Sequence, residues 1–168
     1  MSIVVTGATG QLGRLVIKEL AGRVPAERIV GSTRNPADAA DLGVEIRHGD
    51  FDQPATLRTA FAGADRLLLV STPSGSNETR ARQHIQAIEI AAEVGVGHIL
   101  YTSITAADTS KIALARAHRP TEEAIAATGI PYTFLRNNWY LENDLGTVHG
   151  ALESGDRAAR QVLASFSG

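Results

Sequence analysis

Residues 6–13 read Thr6-Gly7-Ala8-Thr9-Gly10-Gln11-Leu12-Gly13, a G-x-x-G-x-x-G spacing that directly follows the apolar run Ile3-Val4-Val5. Beyond it, Leu12, Leu15, Val16 and Leu20 recur at helical spacing, so the glycines join a strand to an amphipathic helix. In such a turn Gly7 takes the tight bend, and Gly10 lets the backbone approach a pyrophosphate with no Cβ in the way. Gly13 lets the helix pack closely on the sheet. The helix N-terminus offers unpaired amides and the positive end of its dipole to phosphates. The plain alternative is an ordinary turn, which glycine clusters also serve.

The same alternation continues along the chain. Ile29-Val30 begins a second strand, and Asn35-Pro36 supplies an N-cap and first position for a helix closed by Gly43. Val44 to His48 alternates as a third strand. Asp52 and Pro54 precede a short helix carrying Leu57, Ala60 and Phe61. Leu67 to Val70 is continuously apolar, as expected of a strand buried on both faces. Ile85, Ile88 and Ala92 mark a long helix that stops near Gly95, and Ile99-Leu100-Tyr101 is a fifth strand. Leu114, Ala117, Thr121, Ala124 and Ile125 form one stripe of a further helix, and Tyr132 to Leu135 is a sixth strand. Strands alternating with helices predict a parallel sheet. Right-handed crossovers then favour a Rossmann-type doubly wound α/β fold, strand order 3-2-1-4-5-6, in three α/β/α layers.

The 168 residues suit one domain. A nucleotide-binding domain is expected over 1–154, with a divergent tail over 155–168. Apolar residues make up 43%, charged residues 20%, and the net charge is −2. That balance, with 5% aromatics, argues against a nucleic-acid partner. The run Leu67 to Val70 is too short to span a bilayer, so no membrane partner is expected. No cysteine is present, which excludes disulfides, thiol catalysis and thiolate metal sites and fits a cytoplasmic protein.

The end of the second strand bears on which dinucleotide binds. An NAD site places Asp or Glu there for the adenosine 2′-hydroxyl. This chain reads Gly31-Ser32-Thr33-Arg34-Asn35, with no acid and with an arginine able to clamp a 2′-phosphate. NADP(H) is therefore favoured over NAD(H); the bland reading of Arg34 is a solvated strand-end arginine. Gly49-Asp50-Phe51 after the third strand is placed to flank the adenine, and Ser71-Thr72-Pro73 after the fourth to line the ribose. The plain alternative for each is a simple turn. The expected cofactor residues are thus Gly7, Ala8, Thr9, Gly10, Gln11, Leu12, Gly13, Arg34, Asp50, Phe51, Ser71 and Thr72.

Several segments carry a resemblance in register from Ser2 to about Ser154: Val5 to Gly13, Arg34-Asn35-Pro36, Tyr101-Thr102-Ser103, His118 to Glu123, and Leu135-Arg-Asn-Asn-Trp-Tyr-Leu-Glu-Asn143. Together they resemble the NmrA-like atypical short-chain dehydrogenases, in particular the NAD(P)H:quinone oxidoreductase type 2 branch. The resemblance implies NADPH-dependent two-electron reduction of a quinone-like acceptor. It implies that Gly7 to Gly13 and Arg34 hold the cofactor, and that Asn137, Trp139 and Tyr140 lie on the nicotinamide and substrate side. The family also contains redox sensors that bind the dinucleotide without turning it over. Members of the family carry a further region over the active site. The tail from Ser154 departs from their pattern, which leaves strand six or its neighbouring surface open to dimerisation. Ala158, Val162, Leu163 and Phe166 can still form a short amphipathic helix.

The acid machinery of typical short-chain dehydrogenases is a Tyr-x-x-x-Lys pair. Four residues after Tyr101, Tyr132 and Tyr140 stand Thr105, Arg136 and Asp144, so the pair is absent. A quinone is less demanding, because hydride addition leaves a stabilised aromatic oxyanion that solvent can protonate; positioning suffices. His118, on the stripe with Leu114, Thr121 and Ile125, is either a proton donor or a hydrogen-bonded packing residue. Glu122 either holds His118 or is a solvated helix partner, and Tyr101 faces either the cleft or the core. Trp139 and Tyr140 form an aromatic wall for a flat acceptor or belong to the core. His48, His84, His98 and His149 show no metal-ligand spacing, so no metal is expected, and Gly-x-Ser-x-Gly is absent. The readings left open are an oxidoreductase, a non-catalytic NADP(H) sensor and a shortened chain that only binds nucleotide.

Overall fold

The computed structural model describes residues 1–73, 75–110, 113–137 and 149–166, with backbone alone at 149–154. Six strands, β1 (Ile3–Thr6), β2 (Ile29–Thr33), β3 (Glu45–His48), β4 (Arg66–Leu69), β5 (Ile99–Ile104) and β6 (Tyr132–Asn137), form one sheet. Its order is β3-β2-β1-β4-β5-β6 and every pairing is parallel, as the sequence predicts. The helices are α1 (Gln11–Ala21), α2 (Pro54–Phe61), α3 (Asn77–Glu93), α4 (Ala115–Ala127) and α5 (His149–Ala164). The direction of winding reverses between β1 and β4, which pair in register Val5 to Leu68; a crevice therefore opens at their carboxyl ends.

Alternation along the strands builds two cores. On one face Val5, Leu68 and Leu100 pack with Val16, Ile17 and Leu20 of α1 and with Ala158, Ala159 and Val162 of α5. On the other, Val4, Leu67, Leu69 and Tyr101 pack with Leu57 and Phe61 of α2, Ala87 and Ile88 of α3, and Ile125 of α4. Burial on both faces explains why the central strands carry no polar alternation.

Three local expectations differ from the structure. Residues Pro36–Leu42 form a 3₁₀ helix rather than an α-helix, and the Asn35 side chain makes no capping bond. Seven residues gain little from an α-helical ladder. They are held from outside, where Arg14 donates to the Asp38 carbonyl at 2.6 Å and to the Asp41 carboxylate. Gly43 still ends the segment, at φ 67°.

The buried row of α3 runs through His84, Ala87, Ile88 and Ala91, with Gln83 beside it. Ala92 is exposed and Ile85 only half-buried. The buried row keeps Ile88 but shifts off the expected Ile85 and Ala92 and takes in two polar residues, Gln83 and His84.

The third difference concerns the surface beside β6, one face of which α5 covers, while β6 itself stays at the edge of the sheet with no residue fully buried. Helix α5 runs across residue 154 and lies along α1. Gly155 stands at the crossing, where a Cβ would come within 2.8 Å of the Leu15 Cβ. Leu135 of β6 packs into the same cluster, with Leu163 and Phe166. Arg66 fastens the end of the tail, donating to Ser165 Oγ at 2.8 Å with its guanidinium 4.3 Å from the Phe166 ring centre.

Candidate functional site

The glycine turn has the geometry its spacing predicts. Gly7 sits at φ +64°, and Gly10 donates its amide to the Gly7 carbonyl at 2.9 Å. A Cβ on Gly13 would lie 2.2 Å from the Gly7 carbonyl oxygen and 2.8 Å from its carbon, so only glycine allows α1 to approach β1 this closely. The first α-helical bond is Arg14 N–H to the Gly10 carbonyl at 3.0 Å, and Gly10 brings no capping side chain. The amides of Gln11, Leu12 and Gly13 therefore precede the helical ladder. Ala8 is wholly buried and donates its amide to the Ser32 carbonyl at 3.1 Å. Thr9 Oγ1 lies 3.0 Å from Thr33 Oγ1, which ties the turn to the end of β2.

Arg34 follows Thr33, is exposed, and makes no ion pair among the described residues. The loop after β3 folds on itself. Asp50 accepts from the Asp52 amide at 3.0 Å and from Gln53 Nε2 at 3.2 Å, so its carboxylate shapes the loop. Phe51 turns inward, its ring 6.5 Å from that of His84. The loop after β4 is held by side chains from three elements. The amides of Val70, Ser71 and Thr72 donate to Thr6 Oγ1 (2.8 Å), Thr102 Oγ1 (2.8 Å) and His84 Nε2 (3.0 Å).

Tyr101 and His118 meet behind this loop, in the core. Tyr101 is 0% exposed and His118 3%; Tyr101 Oη lies 2.7 Å from His118 Nδ1 and 3.3 Å from His84 Nδ1. The hydrogen-bond polarity follows from one fixed donor. Thr72 N–H can only donate, so His84 Nε2 accepts and the proton of the neutral ring stands on Nδ1. That proton serves Thr121 Oγ1, 3.1 Å away, and Tyr101 Oη; Tyr101 Oη and His118 Nδ1 share the bond of 2.7 Å. Burial lowers His84 to about 3 and His118 to about 4, and pushes Tyr101 above its ordinary range. Glu122 neither holds His118 nor is solvated: it accepts from Ser103 Oγ at 2.6 Å and pairs with Arg136 at 2.6 Å. Buried between β5 and β6, it needs both partners.

Asn137 ends β6 and lines a hollow of about 220 Å³ with Leu12, Leu135, Arg157 and Gln161. The hollow thus brings one expected substrate residue beside the glycine turn. Trp139 and Tyr140 lie outside the described residues. Sequence reasoning placed Gly49 in the adenine-flanking segment but missed why Gly31 and Gly49 must be glycine. A Cβ on Gly31 would meet Ile46 Cδ1 at 2.8 Å and Ala8 Cβ at 3.0 Å, and one on Gly49 would meet Ser32 Oγ at 2.1 Å. Glycine inside or just after a strand was the available signal of close backbone approach. It also missed Gln83 and His84, whose only sequence mark is polarity on an otherwise apolar helix row. Among the described residues no group of three or more His, Cys, Asp or Glu could hold a metal ion. No helix there is long and apolar enough to cross a membrane.

The crevice fits a dinucleotide. The bare Cα of Gly10, the amides ahead of the α1 ladder and the acid-free end of β2 match a diphosphate and a phosphorylated ribose. The chain is 47% identical to quinone oxidoreductase 2 of Escherichia coli (strain K12) over 156 residues, 91% of this chain and 54% of that protein. It spans about half the length of the curated relatives it matches. Among solved structures, Citrobacter sp. triphenylmethane reductase complexed with NADP(H) superposes with a TM-score of 0.83 at 49% identity, over 85% of this chain and 51% of that one. The NADPH complex of the NADPH-dependent quinone oxidoreductase from Escherichia coli gives 0.81 at 46% identity, over 91% and 54%. The NAD(P)H-binding family profile matches residues 7–166, and with the glycine turn and crevice in place the chain belongs to the NAD(P)H-binding family.

Proposed function

We propose that this chain binds NADP(H) in preference to NAD(H) and serves an oxidoreductase that reduces a quinone-like acceptor by two electrons. The observation that carries the cofactor reading is the exposed Arg34 at the end of β2, beside the glycine turn, with no acid in Gly31 to Asn35. The relatives' substrates support the acceptor reading, and the missing Tyr-x-x-x-Lys pair suits it.

Bound NADPH supplies a hydride. The chain's own residues bind and orient. Amides of the α1 N-terminus take the diphosphate, Arg34 takes the 2′-phosphate, and the loop at Ser71 and Thr72 lines the ribose. Asn137 faces the acceptor, and the family resemblance assigns Trp139 and Tyr140 to the same side. The quinone gains a hydride and then a proton from solvent to give the hydroquinone, so no buried acid is required. Tyr101 and His118 take no part in the transfer: their hydrogen bonds face one another in the core and end on the Thr72 amide.

Calorimetric titration with NADPH and NADH tests this on the wild type and Arg34→Ala. The variant should lose about 1.5–3 kcal/mol for NADPH, the scale of hydrogen bonds to a charged group, and little for NADH. Equal losses for both cofactors, or none, would remove Arg34 from the site. Stopped-flow oxidation of bound NADPH by a simple quinone separates enzyme from sensor, and no acceleration over the protein-free rate eliminates the enzyme.

A further inference from the structure

Gln83 touches both walls of the crevice. Its Nε2 donates to Asp52 Oδ2 at 2.9 Å in the loop after β3, and its Oε1 accepts from the Thr72 hydroxyl at 3.0 Å in the loop after β4. The carboxylate can only accept, so it fixes the amide's orientation and leaves the carbonyl end for Thr72. A side chain of this length serves both loops only if it is at once donor and acceptor. Gln83 is 6% exposed, and burying an amide there is unfavourable unless both ends are bonded. Its neighbour His84 accepts the Thr72 amide and meets the Phe51 ring, so the dipeptide is joined to each loop twice. Arg82 adds an ion pair to Asp52 at 2.9 Å.

We infer that the ribose lined by the loop after β4 is the nicotinamide's and that Gln83 is a positioning residue of the dinucleotide site, its amide cross-linking Asp52 to Thr72 and so holding the adenine-side and nicotinamide-side walls at one spacing before the cofactor arrives. The inference rests on the cofactor reading given above. A site held in its bound form avoids the entropy of ordering two loops. The benefit reaches only a ligand long enough to touch both walls. NADPH does so; adenosine 2′,5′-bisphosphate, which carries only the phosphorylated adenosine half, does not.

The test titrates both ligands calorimetrically into wild type, Gln83→Leu, Gln83→Glu and the pair Gln83→Glu with Asp52→Asn. Gln83→Leu should weaken NADPH about tenfold, the scale of one hydrogen bond to a charged group. It should leave the bisphosphate within about twofold, since that ligand touches one wall and gains nothing from the spacing between the two. Gln83→Glu keeps the acceptor for Thr72 but opposes Asp52, and should show the same selective loss. Adding Asp52→Asn restores a donor to the carboxylate and should recover NADPH affinity; a merely structural role would instead weaken both ligands alike in the single variants. Should Gln83→Leu lose its cooperative melt, the Gln83→Glu and rescue pair carries the test. Amide exchange at Thr72 in cofactor-free protein should be faster in Gln83→Glu than in wild type. Equal losses for both ligands, no loss for NADPH, no rescue, or unchanged exchange at Thr72 would each overturn the inference. Failure of the wild type to bind NADPH would instead count against the cofactor reading.

Discussion

Tyr101→Phe separates a core tyrosine from a catalytic one. The change removes a single oxygen from a wholly buried ring and leaves the edge contact with His84, at 5.5 Å between centroids, in place. His84 keeps Thr121 Oγ1 at 3.1 Å as acceptor for its Nδ1 proton, so that side of the network survives. The other side does not. His118 Nδ1 loses its partner at 2.7 Å and becomes a buried polar atom facing hydrocarbon. One lost bond with one orphaned polar atom amounts to about 1–3 kcal/mol of folding stability. For a chain of this size the corresponding fall in Tm is about 2–4 °C per kcal/mol. Urea titration by circular dichroism reads the stability directly, and single-turnover oxidation of bound NADPH by a simple quinone reads the chemistry. The core placement requires a stability loss with a transfer rate within about twofold of wild type. A general acid would instead cost about 10²-fold or more in rate. Unchanged stability with a rate collapse of that order would refute the core placement of Tyr101.

Two further outcomes follow from the same geometry. Gly10→Ala meets only the Gly7 carbonyl, at 3.3 Å, whereas Gly13→Ala drives a Cβ to 2.2 Å from that oxygen. Gly13→Ala should therefore lose about 1–3 kcal/mol of stability along with NADPH binding, and Gly10→Ala should lose binding while its urea midpoint stays near wild type; identical midpoints in the two would contradict the close approach of α1 to β1. Acid should also weaken the fold before the carboxylates titrate. His84 and His118 have folded values of about 3 and about 4, below the ordinary 6.5, so the unfolded chain takes up protons first as pH falls. Stability is then lost from about pH 6.5 downward, at up to about 1.4 kcal/mol per pH unit for each histidine, and a flat urea midpoint between pH 6.5 and 4.5 would refute their burial as neutral rings.

The parts of this molecule that were legible in its sequence are those set by local backbone demands and by hydrophobic period. Gly7, Gly10 and Gly13 were readable because their spacing matches a strand-to-helix turn in which a side chain has no room, and the order of the strands followed from handedness once the alternation was seen. What escaped reading was polar burial. The periodic row on α3 includes His84, and Gln83 lies against it; a hydrophobic count moves such a stripe toward Ile85 and Ala92, away from its true line through Ala87, Ile88 and Ala91. The same holds for Glu122, whose burial depends on Ser103 and Arg136, 19 and 14 residues away in sequence. A polar side chain is stable in a core only when distant partners close its hydrogen bonds, and a single sequence does not reveal which partners will arrive. In this chain the partners of Gln83 and His84 are the loops that border the crevice. Polar residues displaced into the apolar row of α3 thus mark where the scaffold stops serving the core and begins to shape the cofactor cleft.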